Sequence, residues 1–393
     1  MNKAILKSEV QQYIHDHMNE DLNTLIFRKS PFLKVTMAEI VQQIKGKLKA
    51  KNKLPSWYGA EAIYYPEKVS LEQTSSEKTA AYKASLVKGK NLADLTGGFG
   101  VDSFSFSRKF ENVVYLEQNK VLSEIAEWNF GRLGIANIVT HNRESVSFLN
   151  EANMQFDCIY ADPARRDGLK RKVFKLEDCT PNIPQNMNLL WEYTDCILLK
   201  TAPLLDLQQG ISDLKNVKEI HVVALNNEVK ELIWLLSKQH KGNVKVYCAE
   251  LELQNSAFFS FEYEEEKKNE ALFSAPLNFL YEPNASILKS GAFKTVALTY
   301  GIFKLAIHSH LYTSEEQLPF PGRSFLIEEI LPFHKKNIRK KFTGTKANIT
   351  TRNFPWTVAK IRKELQINEG GESYFFFTTD LNGKHLLIIC KKI

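Results

Sequence analysis

No apolar run in this chain approaches the roughly 18 residues that a bilayer span requires. The start, Met1-Asn2-Lys3-Ala4-Ile5-Leu6-Lys7, is charged before any signal-type apolar region develops. These two absences predict a soluble, cytoplasmic protein with no membrane partner. Cysteine is scarce as well: Cys158, Cys179, Cys196, Cys248 and Cys390 are odd in number, far apart and without a C-x-x-C pair. That pattern argues against disulfides, a zinc ribbon or an iron–sulfur cluster, so no metal is expected. Acid is missing from one long stretch. Between Lys335 and Lys363 stand ten cations (Lys335, Lys336, Arg339, Lys340, Lys341, Lys346, Arg352, Lys360, Arg362, Lys363) and no Asp or Glu. A solvated helix face ordinarily mixes signs, so this segment is a candidate phosphate-binding surface; the plainer reading is an innocent basic patch. The net charge of +7 is modest for 393 residues and only tilts the balance toward an anionic partner.

What is present is ordinary globular material. With 44% hydrophobic and 25% charged residues the chain can bury real cores, and its length predicts two or three domains. Residues 1–90 read as helical: Leu22, Leu25, Ile26 and Val35, Ile40, Ile44, Leu48 recur at helix-like spacing, and Thr74-Ser75-Ser76-Glu77 has the form of a capping box opening a helix through Leu86. From Asn91 short apolar strands alternate with amphipathic helices. The expected strands are Asn91–Leu95, Asn112–Leu116, Asn137–Thr140, Phe156–Ala161, Cys196–Leu199, Glu219–Ala224 and Val244–Ala249, and the expected helices include Lys120–Leu133, Leu204–Leu214 and Glu228–Gln239. This alternation predicts an α/β fold, a doubly wound and mostly parallel Rossmann-like sheet over 91–270. The charged run 262–270 reads as a solvated loop and boundary, followed by small α+β modules over 271–321 and 322–393.

Asp94-Leu95-Thr96-Gly97-Gly98-Phe99-Gly100-Val101-Asp102 carries the strongest signal. In an open α/β sheet, ligands settle beyond the carboxyl ends of the strands. Glycines there let backbone approach a ligand, and a helix N-terminus offers free N–H groups. An acid at the strand end suits a ligand bearing an ammonium and a sulfonium, as S-adenosylmethionine does. The rival dinucleotide fingerprint G-x-G-x-x-G fails at its third glycine, since Ser103 stands there, and Asp94 would face a pyrophosphate. Glu117 follows Asp94 by 23 residues at the end of the second strand, placed to accept from ribose hydroxyls, and Glu144 after the third strand is a candidate for the adenine amino group. Each acid taken alone is as easily a helix cap. Asp94, Thr96, Gly97, Gly98, Gly100, Glu117 and Glu144 are therefore the expected cofactor-binding set.

The fourth strand ends in Ala161-Asp162-Pro163-Ala164-Arg165-Arg166-Asp167-Gly168. Amino-group methyltransferases of nucleic acids place Asp/Asn-Pro-Pro-aromatic at this point, so that a carboxylate and a backbone carbonyl orient the target amine. Asp162 and Pro163 match, whereas Ala164 and Arg165 replace the second proline and the aromatic. Asp162 and Pro163 are the expected catalytic pair. Arg165 and Arg166 are candidates to stack a base or hold a phosphate, or else merely to pair with Asp167 or Glu177. Lys170, Arg171, Lys172 and Lys175 make the mouth of the site basic, and Lys200 at the end of the fifth strand is expected to point into it. The run is also similar to the Asp-Pro-Pro-Arg-x-Gly of 5-methyluridine enzymes, but no cysteine here has their Thr/Ser-Cys-Asn-Pro context.

Asp94–Asp102, Asp162–Arg166, Lys200–Pro203, Tyr281–Ala285, Leu311–Ser314, Phe320–Arg323 and Arg352–Pro355 together resemble a bacterial family of class I methyltransferases that carry a ferredoxin-like module and a C-terminal THUMP-like domain. The resemblance runs from about Leu71 to the C-terminus and assigns 271–321 to the first module and 322–393 to the second. It implies an S-adenosylmethionine-dependent enzyme acting on RNA, tRNA first and rRNA second. The Asp162-Pro163 motif points to a base nitrogen, and the basic run makes Arg339, Lys340, Lys341 and Arg352 expected RNA contacts. A small-molecule or protein acceptor, or a non-catalytic RNA-binding protein with a vestigial cofactor fold, are the alternatives.

Overall fold

The computed structural model describes residues 1–165, 175–252 and 259–393. It divides into two compact units, residues 1–218 with 232–241 and residues 219–231 with 242–393. Among the described residues no helix is long and apolar enough to cross a membrane.

The first unit opens with helices, among them α1 (Ser8–Asp16), α2 (Met37–Lys53) and α3 (Glu77–Ser85). Helix α2 starts where Thr36 and Glu39 close a reciprocal capping box, and its Ile40, Val41 and Ile44 turn inward at helical spacing. The box expected at Thr74 does not form. Ser76 caps α3 instead, its hydroxyl accepting from the Thr79 N–H at 3.2 Å.

Strands and helices then alternate: β1 (Gly89–Asp94), α4 (Val101–Phe106), β2 (Phe110–Leu116), α5 (Lys120–Arg132), β3 (Ile138–His141), α6 (Ser145–Leu149), β4 (Cys158–Ala161), α7 (Ile183–Tyr193), β5 (Cys196–Thr201) and α8 (Leu207–Leu214). Parallel pairing gives the order β5-β4-β1-β2-β3, so the chain reverses direction across the sheet between β1 and β4. β4 is buried along its whole length, as a strand covered on both faces must be. The N-terminal helices are not an appendage: Ile5, Ile40, Ile44, Trp57 and Tyr65 share one core with Phe99, Phe104, Tyr115 and Phe130.

The segment expected as helix 228–239 is a strand. After β6 (Val217–Leu225), Asn226 and Asn227 both take positive φ, +54° and +58°, and β7 (Glu228–Ser237) follows. Adjacent αL residues fit a reversing turn, and Leu232–Leu236 is a continuous apolar run that only a strand covered on both faces hides completely. Its residues 232–237 pair antiparallel with β5. Helix α7, absent from the sequence reading, is opened by Asn182, whose side chain accepts from the Gln185 N–H.

In the second unit β8 (Lys245–Glu250) lies parallel to β6 and antiparallel to β9 (Phe259–Glu262). The charged run expected as a loop holds a short helix, α9 (Tyr263–Lys268), and its Glu266 carboxylate accepts from the Lys294 and Thr295 N–H groups. A seven-stranded sheet follows, built from β10 (Phe279–Pro283), β11 (Phe303–Lys304), β12 (Tyr312–Ser314), β13 (Gly322–Pro332), β14 (Lys346–Arg352), β15 (Asn368–Thr379) and β16 (His385–Lys392) in the order β11-β12-β10-β13-β16-β15-β14. The basic helix α10 (Lys335–Phe342) and α11 (Val358–Leu365) pack on it through Ile338, Ile361 and Leu365.

Candidate active site

A crevice of about 260 Å³ opens where β1, β2, β3 and β4 end, at the reversal of strand order. Its floor is the turn after β1. Gly97 cannot carry a side chain, since a Cβ there would stand 2.1 Å from the Tyr115 ring, and Gly100 sits at φ +92° against Phe130. The Tyr115 hydroxyl donates to the Gly98 carbonyl at 2.6 Å, and the Gly98 N–H donates to Glu117 Oε2 at 2.9 Å. The other Glu117 oxygen accepts from the Asn119 N–H at 2.6 Å, so the carboxylate at the end of β2 is held in one orientation at the crevice wall.

Glu144 also reaches the wall, but as the N-cap of α6: it accepts from the N–H groups of Val146 at 3.0 Å and Ser147 at 2.7 Å. These bonds hold its carboxyl below the usual range despite partial burial. Asp94 is fully buried. Its oxygens accept from the Thr96 N–H at 3.0 Å and the Ser103 hydroxyl at 2.5 Å, and burial pushes its pKa up to about 7. The acid that lines the crevice from the same motif is Asp102, to which the sequence reading gave no role.

Asp102 sits in a buried network. Ser75 and Tyr160 hydroxyls donate to its Oδ2 at 2.9 and 2.8 Å, and the ammonium of Lys83, itself fully buried, lies 3.2 Å from Oδ1 and donates to Ser75 Oγ at 2.9 Å. Burial alone would raise the Asp102 pKa, but Lys83 and then Lys200 outweigh it and hold the carboxyl below its ordinary value. Gln73, Thr74 and Ser75 line the crevice beside it. Nothing local in the sequence around Lys83 announces this, because its partner arrives from another helix.

At the end of β4 the Asp162 N–H donates to Thr96 Oγ1 at 2.6 Å, which ties this loop to the glycine turn. Asp162 Oδ2 accepts from Lys200 Nζ at 2.5 Å, so Lys200 does point toward the Asp-Pro loop. Pro163 is buried behind it. Arg165 lies in a two-residue strand, Ala164–Arg165, paired with Cys179–Thr180; its side chain, together with Arg166, Lys170, Arg171 and Lys172, falls outside the described residues. Lys175 is exposed. Cys179 is buried, and all five cysteines are free thiols.

In the second unit Arg339 and Lys340 are exposed on α10. Lys341 instead meets Glu329 at 2.5 Å and Lys335 meets Glu364 at 2.6 Å. Arg352, expected to reach RNA, forks onto the buried Glu282 with Nε at 3.0 Å and Nη2 at 2.8 Å from Oε1, while Arg323 holds the other oxygen.

Comparison with known proteins agrees with this layout. Residues 279–321 match a ferredoxin-like domain model and residues 322–392 a THUMP domain-like model. A crystal structure from Porphyromonas gingivalis W83, described provisionally as a methyltransferase, is similar at 32% identity and a TM-score of 0.90, covering 99% of this chain and 98% of that one. A Streptococcus mutans protein in complex with SAH (9% identity, TM-score 0.31, 41% of this chain and 96% of that one) and an rRNA methylase from Streptococcus thermophilus (10%, 0.30, 42% and 95%) are more distant matches. No curated protein sequence matches. The extent of the first match places this chain in the family of class I S-adenosylmethionine-dependent methyltransferases that carry a ferredoxin-like module and a C-terminal THUMP-like domain.

Proposed function

We propose that this protein methylates RNA, tRNA before rRNA, at a base nitrogen presented to the Asp162-Pro163 loop. The observation that carries the reading is the 2.6 Å bond from the Asp162 N–H to Thr96 Oγ1, which fastens the acceptor loop to the cofactor turn. S-adenosylmethionine supplies a methyl group on a positively charged sulfur that leaves as a neutral thioether.

The residues of this chain do the positioning. Glu117 is oriented to accept ribose hydroxyls, and Asp102 offers an ionised carboxylate to an ammonium. Glu144 presents the mouth of α6 to the adenine side. Asp94 acts one step back, by fixing Thr96 and Ser103. Asp162 keeps one oxygen for the incoming amine while Lys200 holds the other. Alignment of this kind, not new covalent chemistry by the protein, is where such a site gains its rate. The acidic wall suits a cationic donor and does not suit a pyrophosphate.

The test is incubation of the enzyme with labelled S-adenosylmethionine and RNA from cells lacking it, with the label located by nucleoside mass spectrometry. Label in one modified nucleoside, lost on Asp162→Ala, is the expected result. Calorimetric binding of the cofactor with no RNA labelled would move the acceptor to a small molecule or a protein, and no cofactor binding would make the fold vestigial.

A further inference from the structure

The loop of residues 26–34, Ile26-Phe27-Arg28-Lys29-Ser30-Pro31-Phe32-Leu33-Lys34, lies far in sequence from the crevice motifs and presents two large apolar side chains to solvent: Phe27 is 89% exposed and Leu33 106%. Single surface leucines mean little. Here the loop is braced to hold them out. Phe32 turns its ring inward, edge-on to Tyr13 at 5.5 Å, while Ser30 Oγ donates to the Val35 carbonyl at 2.5 Å and Asn2 Nδ2 donates to the Lys34 carbonyl at 2.9 Å.

Along the loop itself the charge has one sign. Between Asp21 and Glu39 the chain has no acid and three cations, Arg28, Lys29 and Lys34. Arg28 pairs with Glu20 at 2.8 Å, and Lys29 and Lys34 are exposed. Beside the loop runs an apolar groove of about 390 Å³, floored by Ile26, Val41, Pro66 and Leu71 and rimmed by Lys45 and by Lys49, which pairs with Glu72 at 2.6 Å. An aromatic face and an aliphatic wedge set among cations match a single-stranded nucleic acid, in which every base has a stackable face and every linkage a negative charge.

We propose that this loop is a single-strand RNA contact: the Phe27 ring stacks on an unpaired base, Leu33 packs against the next base, and Lys29 and Lys34 hold the flanking phosphates. The inference rests on the RNA reading above and adds a second point of contact, in the helical region.

The test uses the full chain and a fluorescein-labelled, unstructured oligoribonucleotide followed by polarisation. Both side chains are exposed, so Phe27→Ser with Leu33→Ser should leave the melting temperature and calorimetric S-adenosylmethionine binding unchanged. Affinity for the oligonucleotide should fall about tenfold. Phe27→Trp alone should retain it, which a merely polar surface requirement would not predict. Wild-type binding that the double variant leaves intact overturns this inference and spares the RNA reading. Failure of the wild type to bind any RNA overturns both. Sedimentation with phosphatidylglycerol vesicles that depends on Phe27 and Leu33 overturns it in favour of a membrane surface.

Discussion

The crevice and the basic C-terminal stretch handle charge in opposite ways. Around the crevice the acids are partnered within their own unit, much of it by backbone N–H groups a few residues away: Asp94 by Thr96, Glu117 by Gly98 and Asn119, Glu144 by Val146 and Ser147. In the stretch from Lys335 to Lys363 the partners come from outside it. Glu364 takes Lys335, Glu329 takes Lys341, and Glu282, 70 residues earlier, takes Arg352. A gap in acidic residues along the chain is therefore not a gap in space. Local motifs report their own electrostatics; runs of one charge do not, because ion pairing is decided by which strands become neighbours.

The sharpest break in this comparison is Lys83, a fully buried cation held against the crevice acid Asp102. Lys83→Met would take from Asp102 its nearest cation, leaving only Lys200 beyond the two hydroxyls, and should destabilise the protein by about 3–5 kcal/mol in urea unfolding, with cofactor affinity lost in parallel. A shift under about 1 kcal/mol would mean that Ser75 and Tyr160 suffice to hold the carboxylate.

Asp94 gives a pH signature of the opposite sign from a paired acid. Its folded pKa, raised from 3.8 to about 7, means that the native state keeps a proton which the unfolded chain has already released. The stability this contributes is fully present below about pH 4 and is lost as pH rises toward about 7. Asp94→Asn removes the titration, so the stability of the variant relative to wild type should climb across that window and then level off. A difference that stays flat from pH 4 to 7 would show Asp94 ionised throughout.

The smallest effects lie in the basic helix. Arg339→Ala with Lys340→Ala should weaken tRNA binding and lower the salt dependence of affinity by about two phosphate contacts. Lys335→Ala with Lys341→Ala, which removes cations already paired with acids, should change the slope little. Equal slopes for the two pairs would restore the plain count of charges along the chain.

Much of the first unit was legible because its signals are short-range. The glycine turn needs Gly97 and Gly100 for reasons within reach of Tyr115 and Phe130, and strands β1 to β5 announce themselves as apolar runs followed by polar turns. The errors share one cause. Residues 228–239 alternate charge and bulk in a way that fits either a helix or a strand, and an antiparallel place beside β5 made the choice. The Thr74 box lost to Ser76 by two residues, a shift that local propensity does not resolve. Asp102 and Lys83 were missed because each is unremarkable until the other is present.

The amino-acid sequence by itself determined strands β1 to β5, the turn beneath the crevice and the acids at its strand ends, since those follow from periodicity, glycine geometry and hydrogen bonds between near neighbours. Tertiary structure alone decided which charges remain available: it buried Asp94, brought Lys83 to Asp102, and drew Arg352 onto Glu282. The reason is the cost of leaving a charge unpaired out of water, which makes the identity of the partner a matter of proximity in space and not of position along the chain.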